Sequence, residues 1–147
     1  MGRAMARFDF PLLVTVILLF PMLYFAIASL TFYLRRFEDP VVTWMLRGLL
    51  NVYFLAVAAC CALGATVFAA AGRPMAAVGF AILGACAVTA RPWFLRRVDD
   101  QLRARDAGDR GATRRLRRLQ LEAILYNAAQ AAAVIASIPV ILPPFTG

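Results

Sequence analysis

Apolar residues fill most of the chain in long runs, and short polar stretches separate those runs. Four runs reach the roughly 20 residues that an α-helix needs to cross a bilayer. They predict helices at about residues 8–34, 41–71, 75–95 and 119–142, with a basic loop at 96–118. Within that loop the third helix can extend as a polar helix toward Arg105, and the fourth helix is expected to begin near Thr113 before it enters the bilayer. The pattern therefore predicts an all-α integral membrane protein, a single domain over residues 1–147, in which four transmembrane helices form an antiparallel bundle.

Proline, glycine and aspartate mark the predicted helix ends. Asp39 and Pro40 suit the start of the second helix, because Asp caps free amides and Pro tolerates the first position. Gly72 to Pro74 reads as a tight turn. The first apolar run extends past the roughly 7–15 residues of a signal-peptide core, so we expect it to remain as a span.

Composition supports a membrane location. The chain is 63% hydrophobic and 16% charged, whereas soluble domains average about half apolar residues. The absence of His excludes haem of the usual ligation and histidine-based metal sites, so we expect no metal and no cofactor. The three cysteines lie within apolar runs and are interpreted as packing residues.

The arginines, which supply all 16 basic residues, predict the orientation of the helices. Thirteen lie in or beside the first and third connections, and three (Arg3, Arg7 and Arg73) lie toward the other side. Because positive residues accumulate in cytoplasmic loops, we expect both of these connections to be cytoplasmic and both termini to lie on the non-cytoplasmic side.

Small residues four apart indicate where helices approach each other, since apolar association alone does not drive helices together in lipid. The second helix offers Ala56, Cys60 and Gly64. The third and fourth helices offer two more rows: Ala77, Ala81 and Ala85, and Ala129, Ala133 and Ser137.

Polar residues in the cytoplasmic halves of the helices form the candidate site. Polar groups at membrane depth should face the bundle interior and find partners. We expect Glu122 to pair with Arg47 or Arg91, within a pocket that opens to the cytoplasm. An alternative is that these residues only join helices. The candidate ligand-binding residues are Arg47, Asn51, Arg91, Glu122, Tyr126, Asn127 and Gln130.

A second candidate surface is the arginine cluster at the start of the fourth helix. Arginines at a cytoplasmic face attract anionic lipids, and nearby acidic residues weaken any attraction to nucleic acid, which we do not expect as a partner. The lipid bilayer is therefore the expected partner, with anionic head groups contacted by Arg114, Arg115, Arg117 and Arg118.

Two resemblances bear on function. Segment 94–106, Leu116 to Leu119 and Tyr126 to Gln130 resemble small four-helix bacterial membrane proteins of mostly unknown function, related to the anthrone-oxygenase-like proteins. In that group a His often stands at the position of Arg117. The segment Arg47 to Asn51 is similar to the membrane glutathione-transferase and eicosanoid-enzyme family, whose Glu is replaced here by Phe54. The first resemblance implies a bacterial cytoplasmic (inner) membrane location.

Two functional hypotheses follow. The first is a non-catalytic membrane protein, either an accessory subunit of a larger membrane complex or a bundle that binds a hydrophobic ligand, alone or as a homo-oligomer. The second is a membrane-embedded enzyme without metal or haem that acts on a hydrophobic substrate. The sequence contains no Ser-His or Cys-His pair and no glycine-rich phosphate loop that would favour the second.

Overall fold

A computed structural model describes residues 10–33 and 40–141, which are helical apart from two short turns. The helices are α1 (Phe10–Tyr33), α2 (Pro40–Ala70), α3 (Pro74–Asp106) and α4 (Ala112–Ile141). Each contains a stretch that is long and apolar enough to cross a membrane. The prediction of an all-helical protein with four potential membrane spans is confirmed.

The expected extension of the third helix toward Arg105 and the start of the fourth helix near Thr113 are confirmed, so most of the basic segment 96–118 is helical. Residues 96–106 continue α3 and residues 112–118 begin α4, so only residues 107–111 separate the two helices. Arg, Leu, Gln and Ala are good helix formers, and no helix breaker interrupts this segment before Gly108. The predicted helix ends at residues 8, 34 and 142, and the capping residue Asp39, lie outside the described residues.

Both turns use a glycine in the left-handed region of backbone conformation. Gly72 has φ of 71° and Gly108 has φ of 89°, which a residue without Cβ adopts at little cost. The amide of Arg73 donates to the Phe68 carbonyl at 2.9 Å, and that of Asp109 donates to the Ala104 carbonyl at 3.0 Å. These bonds satisfy carbonyls that a helix end would leave unpaired.

The four helices surround one core. α2 contacts α1 and α3, and α4 contacts the same two helices; within the described residues the backbones of α1 and α3, and of α2 and α4, do not approach each other. Large buried side chains fill the centre, including Phe25, Phe54 and Phe68. The Phe54 ring stacks on Phe94 with centroids 5.5 Å apart. Side chains in the core thus join all four helices, although opposite helices do not contact each other through their backbones.

Only one of the predicted rows of small residues lies at a close helix contact within the described part of the chain. Gly64 is buried, and a Cβ at this position would overlap the ring of Phe80. Ala81, Ala85 and Ala129 are exposed instead. Large apolar side chains are exposed on all four helices, as expected of surfaces that face lipid; examples are Phe20, Val52, Ile82 and Leu125.

Candidate functional site

The predicted polar residues form separate sets of contacts. They separate into a network around Tyr53, an Arg91–Asn51 pair and an Arg47–Asp99 pair. Sequence reasoning missed Tyr53 and Asp99. Tyr53 lies within an apolar run and looks like an ordinary packing residue. The available signal was its hydroxyl, because a buried tyrosine hydroxyl needs a polar partner. Asp99 had a comparable signal, since Arg47 within a predicted span requires an acid at similar depth.

The Tyr53 network crosses the bundle interior from α2 to α4 and α1. The Tyr53 hydroxyl lies 2.9 Å from Asn127 Oδ1 and 3.0 Å from Gln130 Oε1. Asn127 Nδ2 donates to the Met22 carbonyl at 3.1 Å, and Gln130 Nε2 donates to the Tyr126 hydroxyl at 3.2 Å. Tyr53, Asn127 and Gln130 are buried. Three of the predicted site residues therefore lie together and bond to protein groups, namely Tyr126, Asn127 and Gln130.

One proton on Tyr53 cannot serve both amide oxygens at once. The oxygen and nitrogen of a glutamine amide are interchangeable in position by a half turn, so hydrogen bonding decides between them. With the Gln130 amide turned, Tyr126 donates to Gln130, Gln130 donates to Tyr53, and Tyr53 donates to Asn127. In this order each hydroxyl or amide in the chain donates to the next, and the last donor, Asn127, bonds to the Met22 carbonyl.

Two arginines join α2 to α3 near the charged end of the bundle. Arg91 donates from Nε and a terminal nitrogen to Asn51 Oδ1, at 2.9 and 2.7 Å. Arg47 forms a two-point contact with Asp99, at 2.5 and 3.1 Å. The Arg47 and Asp99 side chains are 38% and 30% exposed, so water screens their attraction.

The expected pairing of Glu122 with Arg47 or Arg91 is wrong. Both arginines have the partners just described, and Glu122 forms no ion pair within the described residues. Glu122 is half-buried on α4. The partner of Arg47 depends on how each helix is rotated about its axis. α3 is rotated so that Asp99 faces α2 and binds Arg47 in place of Glu122.

Further polar contacts join the helices toward the charged end of the bundle. Arg105 donates to Thr43 Oγ1 at 2.8 Å, which joins α3 to the start of α2. Gln120 Nε2 donates to the Ser29 carbonyl at 2.7 Å, which joins α4 to α1. Thr43, Gln120 and Ser29 are buried. No amphipathic pattern singled them out, since each is an isolated polar residue.

The predicted lipid-contacting arginines are all exposed, but they differ in their contacts. Arg115 donates to Gln101 Oε1 at 2.5 Å and also binds the Asp109 carboxylate. This hydrogen bond, together with one from the Gly111 amide, holds the pKa of Asp109 below its usual value. Arg115 therefore fastens the α3–α4 turn, whereas Arg114, Arg117 and Arg118 present their side chains at the surface.

Two apolar clefts flank α4. The α3–α4 cleft has a volume of about 550 Å³ and begins beside Arg73. The α1–α4 cleft has a volume of about 480 Å³. The first is lined by Arg73, Pro74, Met75, Ala76, Gly79, Phe80, Leu83, Ala133, Val134 and Ser137. The second contains one polar lining residue, Asn127, whose amide already bonds to Tyr53 and Met22.

Small side chains on α4 account for these clefts. From Ala128 to Ala133 the helix carries five alanines beside Gln130, so it presents little volume to α1 and α3. Ala133 and Ser137, which were expected to draw helices together, line the α3–α4 cleft instead. Sequence reasoning found neither cleft.

Within the described residues, no group of three or more Cys, Asp or Glu side chains is arranged to hold a metal ion. Cys60, Cys61 and Cys86 are free thiols. No protein-family model matches the chain, and neither curated proteins nor solved structures give a significant match. Function is therefore inferred from the chain's own geometry.

Proposed function

We propose that the protein is a non-catalytic integral membrane protein of the bacterial cytoplasmic membrane that binds apolar molecules beside its fourth helix. One observation carries this proposal: the polar side chains around Tyr53 bond to one another and to the backbone, while the lining of the clefts beside α4 is mostly apolar. Sites for small molecules are mostly apolar clefts of roughly 300–1,000 Å³, and both clefts fall in this range.

The proposed topology is an antiparallel bundle with both termini outside the cytoplasm. Support for the antiparallel arrangement comes from contacts between α2 and α3, where Phe68 meets Phe80, Phe54 meets Phe94 and Thr43 meets Arg105. Residue numbers along α3 rise as those along α2 fall, which is the pattern of two antiparallel helices. The orientation is supported by the thirteen arginines at one end.

A role as an accessory subunit of a membrane complex is the second candidate. The exposed rows of small residues on α3 and α4 favour it, because such rows allow a neighbouring span to approach closely. Ala81, Ala85 and Ala129 belong to these rows. This role and apolar-ligand binding are compatible on α3, since Ala81 and Ala85 line neither cleft.

The enzyme hypothesis receives less support. It required Arg47, Arg91 and Glu122 to converge on a substrate, and the two arginines are bound to Asp99 and Asn51. Under that hypothesis, Glu122→Ala or Arg47→Ala would abolish turnover of an apolar substrate. Under the proposed function, both variants would retain the bound apolar molecule.

The test is purification of the full chain from membranes in a mild detergent. We expect release from membranes by detergent and not by alkaline carbonate, with about one apolar molecule per chain in an organic extract of the purified protein. A stoichiometric larger membrane protein in the same preparation would support the accessory role. Release by carbonate, or an extract that holds only detergent, would contradict the proposal.

A further inference from the structure

We propose that the α3–α4 cleft holds one acyl chain of a bilayer phospholipid, whose phosphate binds at Arg73. This inference deepens the proposed function by naming the class of ligand for one cleft. It rests on that function in a single respect, namely that the chain spans a bilayer.

The shape of the cleft suits an acyl chain. Its lining begins at Arg73, beside the first turn of α3, and continues along the same helix to Leu83. At about 1.5 Å per residue this is a length of roughly 15 Å along the helix axis. The opposite wall is formed by Ala133 and Val134 of α4. The cleft is therefore elongated along the helices, from the end of the bundle toward its middle.

The chemistry of the lining also changes along that axis. Apart from Arg73 at the rim, the polar side chain in the lining is Ser137, whose hydroxyl donates to its own helix at the Val134 carbonyl, 2.6 Å away. An apolar body with an anionic head is the ligand that such a lining complements.

Arg73 suits a phosphate in particular. A guanidinium carries five N–H donors in a planar fork, so it can bind a phosphate while it keeps other contacts. The start of α3 adds a favourable field, because its first turn contains no acidic residue and no side chain caps it. The cleft supplies the site, and the charge at its rim selects the head group.

The experiment measures lipid binding to the full-length, delipidated protein in detergent by native mass spectrometry. The probes are phosphatidylglycerol and a diacylglycerol with the same acyl chains. Wild type should bind one phosphatidylglycerol more tightly than the diacylglycerol. Gly79→Leu and Ala133→Leu place side chains in the cleft from opposite walls, and each should weaken binding of both probes at least about ten-fold.

Arg73→Gln separates the charge from the cleft. Binding of phosphatidylglycerol should weaken about five-fold, which corresponds to about 1 kcal/mol per arginine near a membrane surface, while binding of the diacylglycerol should not change. The matched control for charge is Arg110→Gln in the other turn, where Arg110 is exposed. The matched control for volume is Gly48→Leu, because open space surrounds Gly48 on α2.

The outcomes are distinct. Equal binding by wild type, Gly79→Leu and Ala133→Leu would overturn the lipid site, as would an equal loss in Gly48→Leu. A loss of phosphatidylglycerol that Arg110→Gln reproduces would remove Arg73 from the proposal. Release of the protein from membranes by carbonate would instead contradict the proposed function itself. A second protein that occupies the cleft would appear as a heavier complex without lipid, and would also overturn the inference.

Discussion

The α2–α3 turn and the α3–α4 turn close in the same way, each with a glycine at positive φ and three backbone bonds to the preceding helix. The helices around them differ. Beside the α3–α4 turn, polar side chains join the helices through an ion pair between Arg47 and Asp99 and a hydrogen bond from Arg105 to Thr43. Beside the α2–α3 turn, α3 and α4 leave an apolar cleft between them.

This difference indicates what holds each end together. At the charged end, directional contacts fix the helices in surroundings where apolar burial is limited to residues such as Val98, Leu102 and Leu116. At the apolar end, α2 and α3 pack through Gly64 and Phe80, while α4 presents mostly alanines from Ala128 to Ala133. The two ends should therefore respond to different perturbations: added volume at one, and salt or pH at the other.

The largest effect is expected for Gly64→Leu. A side chain here must displace the Phe80 ring, and overpacking of this kind costs typically about 1–3 kcal/mol. We expect a loss near the upper end of that range, measured as a fall in the free energy of unfolding in mixed detergent micelles. Gly48→Leu is the control, since a Cβ there meets open space. Equal losses in the two variants would show that the α2–α3 contact is not close.

The second effect concerns the network between the two ends. Tyr53→Phe removes the hydroxyl that contacts Asn127 and Gln130, and leaves the buried Asn127 oxygen without its donor and the Gln130 amide nitrogen without its acceptor. We expect a loss of about 1–2 kcal/mol in the free energy of unfolding.

Tyr126→Phe, a matched change at the half-buried end of the network, should cost about 0.5 kcal/mol. A larger loss from Tyr126→Phe than from Tyr53→Phe would contradict the assignment of Tyr53 as the buried centre of the network. Unfolding of both variants in the same micelles measures the difference.

A smaller effect is expected from the ion pair at the charged end. The coupling energy between Arg47→Ala and Asp99→Asn in a double-mutant cycle should be about 0–1 kcal/mol, because both side chains are partly exposed. It should decrease further as salt rises from about 0.1 M to about 1 M. A coupling that is insensitive to salt would mean that this end is shielded from water.

The smallest effect is the pH dependence from the Asp109–Arg115 contact. The hydrogen bond from Arg115 lowers the pKa of Asp109 in the folded state. The contact therefore contributes to stability above the pKa of about 3.9 that Asp has in the unfolded state. That contribution is lost as the pH falls through the lower folded-state pKa. Wild type should therefore lose slightly more thermal stability than Asp109→Asn as the pH is lowered from neutrality into this acidic range. Parallel curves for the two proteins would remove the contact from the account.

Much of the fold could be predicted from the sequence, because helix length and apolar composition are local properties. The turns at Gly72 and Gly108 also follow from local chemistry. Partners across helices could not be predicted, since they depend on how each helix is rotated about its axis. A shift of one residue turns a side chain by about 100°, which is enough to exchange Glu122 for Asp99 as the partner of Arg47.

The rows of small residues show the same limit. A small residue permits close approach, but the side chain opposite determines whether contact results. Gly64 meets Phe80 and closes the α2–α3 contact, whereas Ala133 lines a cleft. Nothing in the spacing of the small residues distinguishes these two outcomes.

The central claim is that the two turns lie on opposite sides of a membrane, with the α3–α4 turn in the cytoplasm. The most direct measurement is thiol labelling of Arg110→Cys and Ala71→Cys, two exposed turn positions, after the three native cysteines are replaced by alanine. With a membrane-impermeant maleimide on intact spheroplasts, Ala71→Cys should be labelled and Arg110→Cys should be labelled only after lysis. Labelling of both before lysis, or the reverse pattern, would contradict the account.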